Sequence, residues 1–295
     1  MSIIQKAAQR LEELNRAGVG VQPASAPGYG AVPPPARPVR PAVAAPVLVF
    51  ALLVRRSAEV TLDLAWMEAD GLLTPSHARS DLAEEFRHIK QPLLRNMREA
   101  ARKPGSRDAL IMVTSALPRE GKTFCAINLA LSMAMEVDTS VLLVDADVVR
   151  PAVLDRLGLP PSRGLMDLLT EPGLEPADVM LRTNVPKLTL LPAGTRNARS
   201  TELLASDAME SLLVDLSNKY ADRVIIFDAP PLLLTSEAKV LAARLGQVVM
   251  VVEAGSTSRA AVTEAFAAVE QCPKVMSVLN RCAEPLNDRR YGYYY

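Results

Sequence analysis

The chain has 295 residues, 49% of them hydrophobic, enough to bury one large α/β domain and still carry a less ordered extension. Lys and Arg total 33, as do Asp and Glu, so no global field draws the chain to nucleic acid or an anionic membrane. Three widely spaced cysteines, Cys125, Cys272 and Cys282, exclude a disulfide framework or a cysteine-based zinc site and point to a reducing compartment.

Residues 1–20 place apolar Ile4, Ala7, Ala8, Leu11 and Leu14 between charges, the spacing of an amphipathic helix that either packs on its own domain or docks a partner. Charges are dispersed through this stretch, unlike the basic start and apolar run of a secretory signal. Residues 21–80 read as a linker and docking segment. Val21 to Pro46 is rich in Pro and Ala, includes Pro33-Pro34-Pro35, and favours a semi-rigid extended conformation. The apolar run Pro46 to Val54 is far shorter than the roughly 20 residues of a spanning helix. A cytoplasmic chain is expected, with any membrane link made through a partner.

From residue 81 to 284 the pattern changes. Leu82 to Arg102 reads as a charged helix. Short apolar runs follow at Ala109–Thr114, Val141–Asp145, Leu188–Leu191, Val224–Asp228, Val248–Val252 and Val275–Leu279. Helical patterns lie between them at Thr123–Met135, Thr201–Lys219, Glu237–Ala243 and Arg259–Gln271. Near-continuous apolar strands separated by helices imply an α/β fold with a mainly parallel sheet and helices on both faces.

Ala116-Leu117-Pro118-Arg119-Glu120-Gly121-Lys122-Thr123 follows a predicted strand and opens a helix, the setting of the phosphate-binding loop (P-loop) of an NTPase. Residues Pro118, Arg119, Glu120, Gly121, Lys122, Thr123 and Phe124 are the expected nucleotide-binding stretch. Backbone N–H groups and the helix N-terminus would hold phosphates, Lys122 would reach the β and γ oxygens, and the Thr123 hydroxyl would ligate Mg²⁺. Gly121 would let the backbone approach without a Cβ. Ala116 stands where the usual motif has its first glycine.

Two further strands end in carboxylates. Val141 to Asp147 closes with Asp145 and Asp147, two residues apart and on one side of a strand end. They could serve as a Mg²⁺ or water ligand and as a base for an incoming hydroxyl, or simply cap a helix. Val224 to Asp228, followed by Ala229-Pro230-Pro231, matches a Walker B strand whose carboxylate holds Mg²⁺ directly or through water. Asn280 follows the last strand. Its amide could pair with the adenine edge, or it could simply form a turn.

Four of the six tyrosines crowd into residues 285–295, at Tyr291, Tyr293, Tyr294 and Tyr295. A solvent-facing aromatic tail buries nothing, but offers phenolic hydroxyls on a tether. With a phosphate cradle in the same chain, it suggests a kinase that phosphorylates its own tail, with ATP and Mg²⁺ as cofactors.

The loop, the Asp145/Asp147 strand, the Asp228-Ala-Pro-Pro strand and the tail together resemble the bacterial tyrosine kinases of capsule and exopolysaccharide assembly, of the CpsD/CapB-like type. Leu191-Pro192-Ala193-Gly194 and Glu202-Leu203-Leu204-Ala205-Ser206 are similar to stretches of that family. Glu84-Glu85-Phe86-Arg87-His88-Ile89-Lys90 resembles its Glu-x-x-Arg-x-x-Arg oligomerisation motif, and the wording of Glu85–Leu94 is similar to the subgroup encoded beside exosortase systems. The resemblance implies catalytic roles for Lys122, Asp145 and Asp147, with Asp145 the leading candidate to orient or deprotonate the tyrosine. It implies metal support from Thr123, Asp145, Asp147 and Asp228, and subunit bridging by Glu84, Arg87 and Lys90. A homo-oligomeric ring is implied, in which one subunit's tail enters the next subunit's site. So are a separate membrane co-polymerase as activator, at the inner face of the plasma membrane, and a phosphotyrosine phosphatase. Arg119 departs from the family, which usually has glycine there.

Two rivals share the fold. A ParA/MinD-type switch ATPase would carry a signature lysine where this chain has Leu117, and would lack the tyrosine cluster. A nucleotide-binding adaptor of a glycan assembly complex is kept open by Ala116 and Arg119.

Overall fold

The structure, a computed structural model, describes residues 57–100, 106–219 and 223–282. The expected N-terminal helix, the Pro/Ala-rich stretch and the tyrosine tail lie outside the described residues.

In chain order the elements are β1 (Ala58–Val60), α1 (Leu64–Ala69), α2 (Asp81–Ala100), β2 (Leu110–Ser115), α3 (Lys122–Ala134), β3 (Ser140–Asp145), α4 (Val153–Arg156), α5 (Leu165–Thr170), α6 (Pro176–Val179), β4 (Leu181–Thr183), β5 (Leu188–Leu191), α7 (Ser200–Ala205), α8 (Asp207–Lys219), β6 (Arg223–Asp228), α9 (Ser236–Ala242), β7 (Gln247–Glu253), α10 (Arg259–Ala267) and β8 (Val275–Asn280). The described strands form one sheet in the order β1-β4-β5-β3-β6-β2-β7-β8. Its pairings are parallel except that between β4 and β5. This is the expected α/β architecture.

The inner strands β2, β3, β5, β6 and β7 are mostly apolar because helices cover both faces. Along β2, Leu110 and Met112 join one core cluster and Ile111 and Val113 the other. β3 and β6 divide in the same way, Leu142 and Val144 against Val141 and Leu143, and Ile225 and Phe227 against Val224 and Ile226. The two-residue side-chain period thus feeds two hydrophobic layers from one strand. Each fully buried aliphatic side chain contributes about 1.5–3 kcal/mol.

The long helical pattern expected from Thr201 to Lys219 is two helices, α7 and α8, with Ser206 in extended backbone between them. The expected domain boundary at residue 81 falls inside the packed unit. β1 pairs with β4, while Leu62, Met67, Leu72 and Leu73 are buried in the same cluster as Phe86 and the α3 side chains. The Leu73 N–H donates to Asn128 Oδ1 on α3 at 2.7 Å, and Arg156 pairs with Asp70 at 2.7 Å. Among the described residues, no helix is long and apolar enough to cross a membrane.

Candidate active site

The strand order brings three carboxyl-terminal strand ends together. β6 lies between β3 and β2, and Asp145 stands opposite Asp228 in the ladder. The loop leaving β2 rises beside them. In an open α/β sheet this edge is where ligands bind.

The loop is tied down on several sides. Leu232 and Leu233 donate backbone N–H bonds to the carbonyls of Ser115 and Ala116, at 2.9 and 3.2 Å. Glu120, 2% exposed, accepts the Leu117 N–H at 2.6 Å and also binds the Thr257 hydroxyl. Gly121 adopts φ 95°, a left-handed conformation, and a Cβ there would lie 2.1 Å from Asn280 Nδ2. Only glycine meets both conditions. Arg119 is also left-handed, at φ 68°, the backbone geometry that glycine satisfies without strain. α3 starts directly after Gly121 with no side-chain cap, so its first N–H groups are available to an anion.

Pro118, Arg119, Gly121, Lys122, Thr123 and Phe124 line a cavity of about 850 Å³, which Asp147 also lines. The expected binding stretch is thus at the cavity except for Glu120, whose carboxylate turns into the loop. An acid in a loop built for a polyanion must turn away or be paired, which is the signal that could have separated it from its neighbours.

The acidic residues have different surroundings. Asp147 Oδ2 lies 2.8 Å from Lys122 Nζ, and its Oδ1 accepts the Arg150 N–H at 3.0 Å. Asp145 is caged instead. Its Oδ2 accepts the N–H groups of Ala152 and Val153, each at 3.0 Å, and its Oδ1 that of Asp147 at 3.2 Å. It borders a neighbouring cavity of about 340 Å³, away from Lys122. Burial raises the Asp145 pKa to about 6 despite those backbone donors.

Asp228 is fully buried, and burial raises its pKa to about 7 although the Lys122 charge pulls it down. Neither of its oxygens has a hydrogen bond of good geometry, while the Thr123 hydroxyl is close enough to lower the pKa. Such a carboxylate fits a divalent cation. No group of three or more His, Cys, Asp or Glu among the described residues is arranged to hold a metal. Mg²⁺ is commonly held by one or two carboxylates together with substrate phosphates.

The expected subunit-bridging residues divide. Glu84 and Arg87 pair with each other on the exposed face of α2. Lys90 lies elsewhere: it is buried, donates to the Ser132 carbonyl at 2.7 Å and pairs with Glu136 at 2.8 Å. Asn280 does not line the cavity, and its Nδ2 donates to the Glu120 carbonyl at 2.9 Å. Tyr291, Tyr293, Tyr294 and Tyr295 lie outside the described residues. Sequence reasoning missed Thr257, whose hydroxyl binds Glu120 in the loop and which nothing marks locally.

No family model matches the chain. It is 32% identical over 186 residues to the tyrosine-protein kinase YwqD of Bacillus subtilis, covering 62% of this chain and 76% of that protein. It is 34% identical over 182 residues to the succinoglycan biosynthesis transport protein ExoP of Rhizobium meliloti, covering 61% of this chain but only 22% of ExoP. The kinase domain of the Escherichia coli tyrosine kinase ETK superposes with a TM-score of 0.60 at 27% identity, covering 71% of this chain and 80% of that one. With this fold, this phosphate loop and these relatives, the chain belongs to the bacterial tyrosine-protein kinase family.

Proposed function

We propose that this kinase transfers the γ-phosphate of ATP to Tyr291, Tyr293, Tyr294 and Tyr295 of a neighbouring copy, and that this regulates exopolysaccharide polymerisation or export. The observation that carries the reading is the Lys122–Asp147 pair on the wall of a cavity formed where β2, β3 and β6 end. The succinoglycan role in ExoP's name supports the glycan setting.

The loop N–H groups and the start of α3 bind the triphosphate, and Lys122 neutralises its β and γ oxygens. Thr123 and Asp228, with Asp147 nearby, would hold Mg²⁺, which when bound draws charge off the phosphates. A phenol has a pKa near 10 and arrives protonated. Asp147 faces Lys122 and the cavity with one oxygen free of backbone donors, so it orients the hydroxyl and takes its proton as the new O–P bond forms and ADP leaves. Asp145, the candidate favoured by motif position, instead holds the 147–153 loop in shape through three backbone donors.

A ring of copies would bring one copy's tail to the next copy's site at high local concentration. Glu84 and Arg87 are available for that contact. Each phosphate adds about −1.5 to −2 charges, so modified tails repel and loosen the ring. A separate membrane co-polymerase activates the chain at the inner face of the plasma membrane, and a phosphotyrosine phosphatase resets it. Mass spectrometry of the full chain after MgATP should find phosphate on the tail tyrosines, and none in Lys122→Met. Equal modification of both chains would refute transfer at this site.

A further inference from the structure

We propose that Asn280 is a positioning residue that fixes the direction of the Gly121 N–H, and so sets affinity for the triphosphate without reading the base. This inference rests on the nucleotide reading of the cavity.

Asn280 ends β8, opposite Glu253 in the ladder, and its carbonyl accepts the Ala254 N–H at 2.9 Å. Its backbone is therefore held by the sheet. From that base Nδ2 donates to the Glu120 carbonyl at 2.9 Å. The carbonyl belongs to the peptide unit whose N–H is that of Gly121. In a planar trans peptide the two groups point in opposite directions. With the oxygen held toward Asn280, the N–H is turned away from it, and Gly121 borders the cavity that Asn280 does not line.

This peptide needs an external anchor. Gly121 can adopt either sign of φ at little cost, so the Glu120–Gly121 plane has no strong preference of its own. The Glu120 side chain anchors the far end of the loop, through the Leu117 N–H and Thr257, and not this peptide. The Asn280 amide also fills the volume that a Cβ on residue 121 would need, at 2.1 Å. An adenine reader would present its amide edge to the base in the cavity, whereas Asn280 does not line the cavity and its Nδ2 donates to the loop.

The test measures binding of ATP, GTP and inorganic tripolyphosphate, each with Mg²⁺, to the full chain by calorimetry. Asn280→Ala should weaken all three by a similar factor of about five- to tenfold, the cost of one neutral hydrogen bond. In Asn280→Asp the side chain donates only when protonated. Ionised between about pH 6 and 8, it offers Glu120 no donor, so Asn280→Asp should weaken all three at least as much as Asn280→Ala although it keeps the side chain's size, a response that a packing role would not give. Loss confined to ATP would overturn the proposal in favour of adenine recognition, and unchanged affinity for all three would also overturn it. Failure of the unaltered chain to bind any of them would overturn the nucleotide reading and this inference together.

Discussion

Lys122 Nζ and Asp147 Oδ2 are 2.8 Å apart, so the cation of the phosphate loop rests on a carboxylate that also lines the cavity. Burial lowers the Lys122 pKa, but Asp228, Asp147 and Asp145 more than offset it and hold the ammonium above its ordinary value. On the proposed reading, an incoming triphosphate would compete with Asp147 for the lysine and release the carboxylate when the acceptor is needed. Asp147→Asn should therefore bind ATP at least as tightly as the parent, while tail phosphorylation falls by roughly 100-fold or more. Calorimetry and single-turnover kinetics check the two parts. Parallel loss of binding and transfer would show that the carboxylate serves mainly to organise the nucleotide site.

Stability should depend on pH in a direction set by the buried acids. Asp145 and Asp228 have folded-state pKa values of about 6 and about 7, above the ~3.9 of an unfolded aspartate. The folded chain then holds protons that the unfolded chain releases, so the contribution of these two acids is full below about pH 4 and is lost as pH rises through about 6 to 7. Asp167 and Glu237, with lowered pKa values, act in the opposite sense and below this window. Without nucleotide, Asp228→Asn should flatten the slope and gain on the order of 1–3 kcal/mol near neutral pH. Urea denaturation of parent and variant at several pH values measures this, and equal slopes would contradict it.

Residues 57–80 should be needed for the fold. Leu73 is 1% exposed, and its N–H binds Asn128 on the helix that follows the phosphate loop. Leu73→Ala should cost about 2–4 kcal/mol, as for other buried leucines. A chain beginning at residue 81 should unfold at a markedly lower temperature than the full chain. Identical melting would show that this segment is dispensable.

Much of the fold could be read from the sequence because five of the six apolar runs are inner strands of the sheet, covered on both faces; the sixth, β8, is an edge strand and only partly buried. The three-residue strands β1 and β4 carry too few residues for alternation to register. The phosphate loop was legible because glycine, lysine and threonine have fixed uses at fixed spacing. The different surroundings of Asp145 and Asp147 were not. They depend on where the backbone N–H groups of residues 147–153 point, and that is a property of the folded loop. Lys90 fits the helical motif by spacing, but Ser132 and Glu136, 42 or more residues away, draw it inward.

That inward turn separates two effects. Lys90→Ala should destabilise the domain by about 1–3 kcal/mol, since it leaves buried partners unpaired. Glu84→Ala combined with Arg87→Ala should leave the melting temperature nearly unchanged and reduce self-association in sedimentation velocity. Loss of assembly in Lys90→Ala without loss of stability would place the lysine at the subunit contact after all.

Transfer between copies is tested most directly by mixing two chains. A Lys122→Met chain with its tail intact is incubated with MgATP and an otherwise unaltered chain that ends at residue 284. Mass spectrometry should find phosphate on Tyr291, Tyr293, Tyr294 and Tyr295 of the Lys122→Met chain in the mixture and not in that chain alone. Its absence from the mixture, while the unaltered full chain still labels its own tail, would contradict transfer between neighbours.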